Sequence, residues 1–182
     1  MRTLTACCIL IALSVPARAT VLIPADLGEL SRDAVAIARG RVAALDAQWT
    51  EDRGTIETIV TLEVESYLKG NLGSLLRFRV PGGELGRFRS VVVGAPAFAV
   101  DQRVVVFLGA HGPTVPHLLG MSQGVFRVTR AADDSGWLVR SPIVLPAAPG
   151  VSPRIVRGDP SRRALALGDF ESTVRVLAGG AK

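Results

Sequence analysis

The sequence predicts a mainly β protein, an antiparallel barrel or small sandwich with a short N-terminal and a C-terminal helix. Three observations lead there. From Val60 to Glu65 apolar and polar residues alternate with a period of two, and the alternation resumes at Leu76, Phe78 and Val80 after a turn at Lys69-Gly70-Asn71. Val104-Val105-Val106-Phe107-Leu108 is apolar on both faces. Turn-forming residues recur about every 10 positions, while helical patterns are confined to the ends.

The N-terminus gives an address. Met1-Arg2 places a positive charge before an apolar run from Leu4 to Val15, and Pro16-Ala17-Arg18-Ala19 supplies the small residues that a signal peptidase reads. Residues 1–19 are therefore expected to be a signal peptide cleaved after Ala19, leaving a secreted or periplasmic chain. The apolar run of about a dozen residues is too short to span a bilayer, which needs about 20, so no stable membrane insertion is expected after cleavage. Cys7 and Cys8 are the only cysteines and would leave with the leader. The mature chain would then hold neither a disulfide nor a thiolate ligand and would rely on core burial. Of 21 basic residues, Arg2 and Arg18 are also lost, so 19 remain against 16 acidic, a net of +3. All but Lys69 and Lys182 are arginines, whose high pKa lifts the pI to 10.2 at small net charge. Nucleic acid is not expected as a partner.

Along the chain, Ala25 to Arg32 reads as a short helix, with Asp26 and Glu29 at capping-box spacing. A long first strand runs from about Ala34 toward Trp49, with a bulge expected at Arg39-Gly40-Arg41. Glu51 to Gly54 is a turn. In the following hairpin Leu76, Phe78 and Val80 face inward and Arg77 and Arg79 outward. Arg87-Phe88-Arg89 repeats that triplet, so Phe88 is also expected inside. Val91 to Val93 is a further apolar piece before the Gly94-Ala95-Pro96 break. Val104 to Leu108 reads as a central buried strand. Val115–Leu119, Val125–Val128 and Trp137–Val139 are three more short strands. The expected organisation is a β domain over 20–141, a Pro/Gly-rich extended segment over 142–166, and a C-terminal helix with a frayed tail over 167–182.

Several motifs carry residue types capable of chemistry. Gly120-Met121-Ser122-Gln123-Gly124 has the G-x-S-x-G form of a nucleophile turn, but a strand pattern follows it and no histidine lies downstream. It reads as a turn between strands. His111 and His117, the only histidines, with Asp101 nearby, make a thin metal set; regular zinc sites hold three or four ligands. They read as loop histidines, and no metal or other cofactor is expected. Arg157-Gly158-Asp159 is short enough to arise by chance. Pro81-Gly82-Gly83-Glu84-Leu85-Gly86 reads as a glycine-rich corner loop. Its residues Gly82, Gly83, Glu84 and Gly86, with Arg87 and Arg89, form the candidate interaction loop, because such loops on rigid scaffolds bind things.

One ordered set of short motifs resembles a known fold. Ala34 to Val42 contains Gly40-Arg41-Val42, a later stretch ends in Tyr67-Leu68-Lys69-Gly70, and Phe78-Arg79-Val80-Pro81-Gly82-Gly83 follows. This arrangement resembles a group of uncharacterised exported bacterial proteins. More distantly it is similar to the OB-type barrel of netrin modules and tissue inhibitors of metalloproteinases. The resemblance spans about Ala25 to Leu108 and implies an OB-like barrel. Those inhibitors act through an N-terminal cysteine, which this chain lacks, so no inhibitory residue carries over.

The functional expectation is an exported, non-enzymatic binding module. It would bind a protein partner, a secreted protease among the candidates, through the Pro81–Pro96 region or the N-terminal segment. The alternatives are a secreted hydrolase using Ser122 with His111 or His117, and a structural envelope protein.

Overall fold

The computed structural model describes residues 25–112, 114–142 and 164–179. The leader, its cleavage point after Ala19, nearly all of the 142–166 segment and Arg157-Gly158-Asp159 lie outside the described residues.

The described chain opens with helix α1 (Leu27–Asp33). It starts where the capping box places it: Glu29 N–H donates to Asp26 Oδ1 at 2.7 Å and Asp26 N–H donates back to Glu29 Oε2 at 3.3 Å. Its other end is closed from a distance, for Lys69 Nζ donates to the carbonyl oxygens of Ser31 at 3.0 Å and Arg32 at 2.8 Å. An ammonium there meets the negative end of the helix and its unpaired carbonyls.

Strands β1 (Ala36–Trp49) and β2 (Ile56–Lys69) form a long antiparallel pair around the polar turn at 50–55. The register slips at three places in β1, one of them between Arg39 and Gly40. A Cβ on Gly40 would sit 2.2 Å from the Glu63 carbonyl oxygen, so only glycine lets the two backbones approach this closely. Strand β3 (Leu75–Pro81) completes the hairpin in the expected register, pairing Leu62 with Leu76, Val60 with Phe78 and Thr58 with Val80.

The rest of the chain supplies β4 (Gly83–Leu85), β5 (Phe88–Ser90), β6 (Arg103–Gly109) and β7 (His117–Leu118). A 3-10 turn at Met121–Gly124 follows, then β8 (Val125–Arg130), β9 (Trp137–Arg140), β10 (Leu165–Ala166) and helix α2 (Leu167–Gly179). Eight strands form one sheet in the order β1-β2-β3-β7-β6-β8-β9-β10, and β1 pairs with β6 as well, from Ala36 opposite Leu108 to Arg41 opposite Arg103. Strands β4 and β5 pair only with each other. The large sheet is mixed, not purely antiparallel, because β3 and β7 run parallel where Arg79 meets His117.

The sheet buries two cores, and β6 feeds both. Val104, Val106 and Leu108 point into one with Val42, Val60, Leu62, Leu76, Phe78 and Val80. Val105 and Phe107 point into the other with Leu30, Ile37, Phe126 and Val139, and with Phe170 and Val174 of α2. All five residues from Val104 to Leu108 are fully buried, as their two-sided apolar pattern requires.

Other expectations change. Residues 81–86 are not an open loop: Gly83–Leu85 pairs with Phe88–Ser90 as a small hairpin. Phe88 is not inside, although Phe78 in the same triplet is fully buried. Phe78 has the core beneath it, whereas Phe88 lies in a three-residue strand of a two-stranded ribbon. Val91 and Val93 are exposed and belong to no strand. The strand expected over Val115–Leu119 shrinks to His117–Leu118, since Pro116 has no N–H to give a ladder. Leu165–Ala166, placed in the extended segment, pairs with β9. Among the described residues, no helix is long and apolar enough to cross a membrane.

Candidate functional site

The β4–β5 hairpin is folded onto β2 by its glycines. Gly82 N–H donates to the Ile56 carbonyl at 2.9 Å, and Thr58 Oγ1 donates to the Gly82 carbonyl at 2.8 Å. Gly82 and Gly83 have φ of 92° and 149°, and a Cβ on Gly83 would lie 2.5 Å from Thr58 Oγ1. Glu84 and Arg89 stand opposite each other in register and form an ion pair of 3.1 Å. Both are well exposed, so the pair orders the ribbon more than it stabilises the fold. Gly86, at φ 60°, turns the ribbon. Arg89 is thereby matched by a carboxylate, and the Arg87 guanidinium lies 5.1 Å from the Phe88 ring centroid.

Phe88 meets Trp49 at the far end of β1. Their ring centroids are 5.4 Å apart at 65°, an edge-to-face contact. Phe88 stays 47% exposed, Trp49 37% and Val91 75%. Beside them, between the hairpin and residues 91–98, lies a cleft of about 520 Å³. Leu45, Ala47, Val80 and Phe98 contribute apolar surface to it, and Glu84 and Arg89 line it too. Aromatic and arginine side chains around an apolar centre are the composition of protein interfaces. The structure thus places Gly83, Glu84, Gly86, Arg87 and Arg89 in one hairpin with Gly82 at its foot, and adds Trp49, Val91 and the 95–98 wall. Trp49 was legible only as the end of a strand; its role depends on the hairpin that folds against it.

The histidines come together elsewhere. His111 and His117 stack with centroids 4.6 Å apart at 14°. His117 is not a free loop residue but half of β7, partly buried. Burial, then the His111 ring and the Arg79 guanidinium, hold its pKa below 6.5. Asp101 is not with them: it binds Arg41, together with Glu63. Those two carboxylates raise the Arg41 pKa further. Among the described residues no three His, Cys, Asp or Glu side chains gather into a metal-binding group.

Ser122 lies in the 3-10 turn and not on a strand-to-helix elbow. Gly120 adopts φ 61°, and a Cβ on Gly124 would sit 2.0 Å from the Leu119 carbonyl oxygen, so local backbone geometry accounts for both glycines of the pentapeptide. Ser122 N–H donates to the Gly94 carbonyl at 2.9 Å. Its side chain lines a different cleft from the one lined by His111 and His117, and among the described residues no hydrogen bond joins it to either ring. Serine, histidine and acid do not form a nucleophilic set here.

Compared with protein families, curated proteins and solved structures, the chain matches none.

Proposed function

We propose that this chain is an exported, non-enzymatic protein-binding module on an OB-like barrel, and that it holds its partner with the β4–β5 hairpin and the cleft beside it. The observation that carries the reading is the exposed Trp49–Phe88 pair, bordered by Val91 and by the Glu84–Arg89 ion pair. An edge-to-face aromatic pair left in solvent is costly unless something covers it, and it provides large, rigid contact area. The barrel reading is supported by ladders that run β1-β2-β3-β7-β6 and return from β6 to β1, with β3–β7 the one parallel pairing among the described residues. Export is supported by the leader pattern of residues 1–19.

The partner that fits is an extended segment of another exported protein, apolar at its centre and polar at its edges; a secreted protease is one candidate. The test is capture from the exported fraction with purified residues 20–182, compared with Trp49→Ala and Phe88→Ala. A partner retained by the wild type and lost by both variants supports the reading. No retained partner, or equal retention by all three proteins, overturns it. Mass spectrometry of the exported chain tests the address independently, with Thr20 expected as its first residue.

A further inference from the structure

A second cavity, of about 760 Å³, opens on the other side of the 95–97 wall. Arg127 of β8 and Arg140 of β9 line it and stand directly opposite each other in the antiparallel register. Like charges so placed destabilise a sheet. Among the described residues no carboxylate lines the cavity. Arg127 Nη2 reaches only the Ala97 carbonyl, at 3.3 Å, and the Arg140 guanidinium has no hydrogen-bond or ion-pair partner among the described residues.

Several other arginines on this sheet are paired with carboxylates. Arg39 and Arg103 both reach Glu65, and Arg41 reaches Glu63 and Asp101. The Arg127–Arg140 pair adjoins the hydroxyl-bearing Ser122 and Ser141 and apolar surface from Pro96 and Val125. We infer that this cavity is a binding site for a small amphiphilic anion, whose carboxylate or phosphate head lies between Arg127 and Arg140 while its apolar body rests on Pro96 and Val125. Guanidinium groups suit such heads because their paired N–H donors match two oxygens at once. The volume lies within the range of small-molecule sites, about 300–1,000 Å³. This site is separate from the Trp49–Phe88 surface and does not depend on it.

The test is calorimetric titration of purified residues 20–182, with octanoate and octyl phosphate kept below micelle-forming concentration. Octanol and inorganic phosphate serve as probes of body and head alone. Saturable binding is expected for at least one octyl anion, with octanoate against octyl phosphate deciding which head is preferred. Octanol and inorganic phosphate are expected to bind at least about tenfold more weakly, since each lacks half of the recognition. Arg140→Gln should weaken the octyl anion by about tenfold or more. Because Arg140 has no partner among the described residues, the ligand-free variant should melt no lower than the wild type, so failure to fold is not the explanation. Binding of neither octyl anion, equal binding by Arg140→Gln, or equal binding of octanol would each overturn the assignment.

Discussion

Arg39 Nε donates to Glu171 Oε1 at 2.7 Å, joining β1 to α2 across 132 positions of sequence. Glu171 is nearly enclosed, its side chain 12% exposed, and it also accepts from Arg175 one turn on in α2. Arg39 binds Glu65 as well, Glu65 binds Arg103, and Arg103 lies 4.6 Å from the Trp137 ring centroid. This polar chain borders the core in which Phe170 meets Phe126 at 4.8 Å. The helix is therefore part of the folded unit and not an appendage.

Removing its anchor should show that directly. Phe170→Ala is expected to lower the unfolding free energy by about 3–5 kcal/mol, the usual effect of truncating a buried phenylalanine. Urea denaturation measures it; a change below about 1 kcal/mol would mean that α2 is loosely held. A double-mutant cycle with Arg39→Ala and Glu171→Ala should return a coupling of about 1 kcal/mol, because the pair is partly buried and shared.

Lys69 gives a prediction about α1. Lys69→Met keeps the stem but removes the donors to the Ser31 and Arg32 carbonyls, and should cost about 1–2 kcal/mol. Hydrogen exchange should speed up at the amides of Leu27–Asp33 more than in β6. Uniform change over both segments would contradict a capping role.

Gly40→Ala is expected to cost about 3 kcal/mol, toward the upper end for overpacking, because the new Cβ meets a backbone oxygen that cannot move alone. A thermal melt unchanged from the wild type would show that β1 and β2 separate there at little cost.

The histidine pair predicts a pH dependence. His117 titrates below 6.5 in the folded chain, so it takes up protons on unfolding. Its contribution to stability is full above 6.5 and is lost as the pH falls through the folded pKa. The denaturation midpoint should therefore drop between pH ~7.5 and ~5.5, and His117→Gln should flatten that drop. Asp52 is held low by the Thr50 hydroxyl and the Gly54 N–H, and Asp133 by the Ser135 hydroxyl and N–H, so the contribution of each is full above 3.8, is lost only at more acid pH, and leaves the range from ~7.5 to ~5.5 unaffected. A midpoint that rises on acidification would contradict the assignment.

The parts legible in the sequence are those where one local pattern has one solution. The Asp26–Glu29 spacing gave α1, the Gly40 irregularity gave a bulge, and the apolar run at 104–108 gave the strand shared by both cores. The rest depended on long-range register. Arg77-Phe78-Arg79 and Arg87-Phe88-Arg89 are the same triplet, yet only the first has a sheet and core around it. The Arg127–Arg140 opposition is set by the turn between β8 and β9, and the Trp49–Phe88 contact by a hairpin folding back on β2. Neither is written in any single stretch of residues.

The most direct test of the central claim is the affinity of the captured exported partner for the wild type, Trp49→Ala, Phe88→Ala and Leu75→Ala. Leu75 is a control, exposed at 61% but not among the residues lining the hairpin cleft. Losses of about 30-fold or more are expected for the two aromatic variants, as for interface hot spots, with no change for Leu75→Ala. Equal affinity across all four proteins would contradict it.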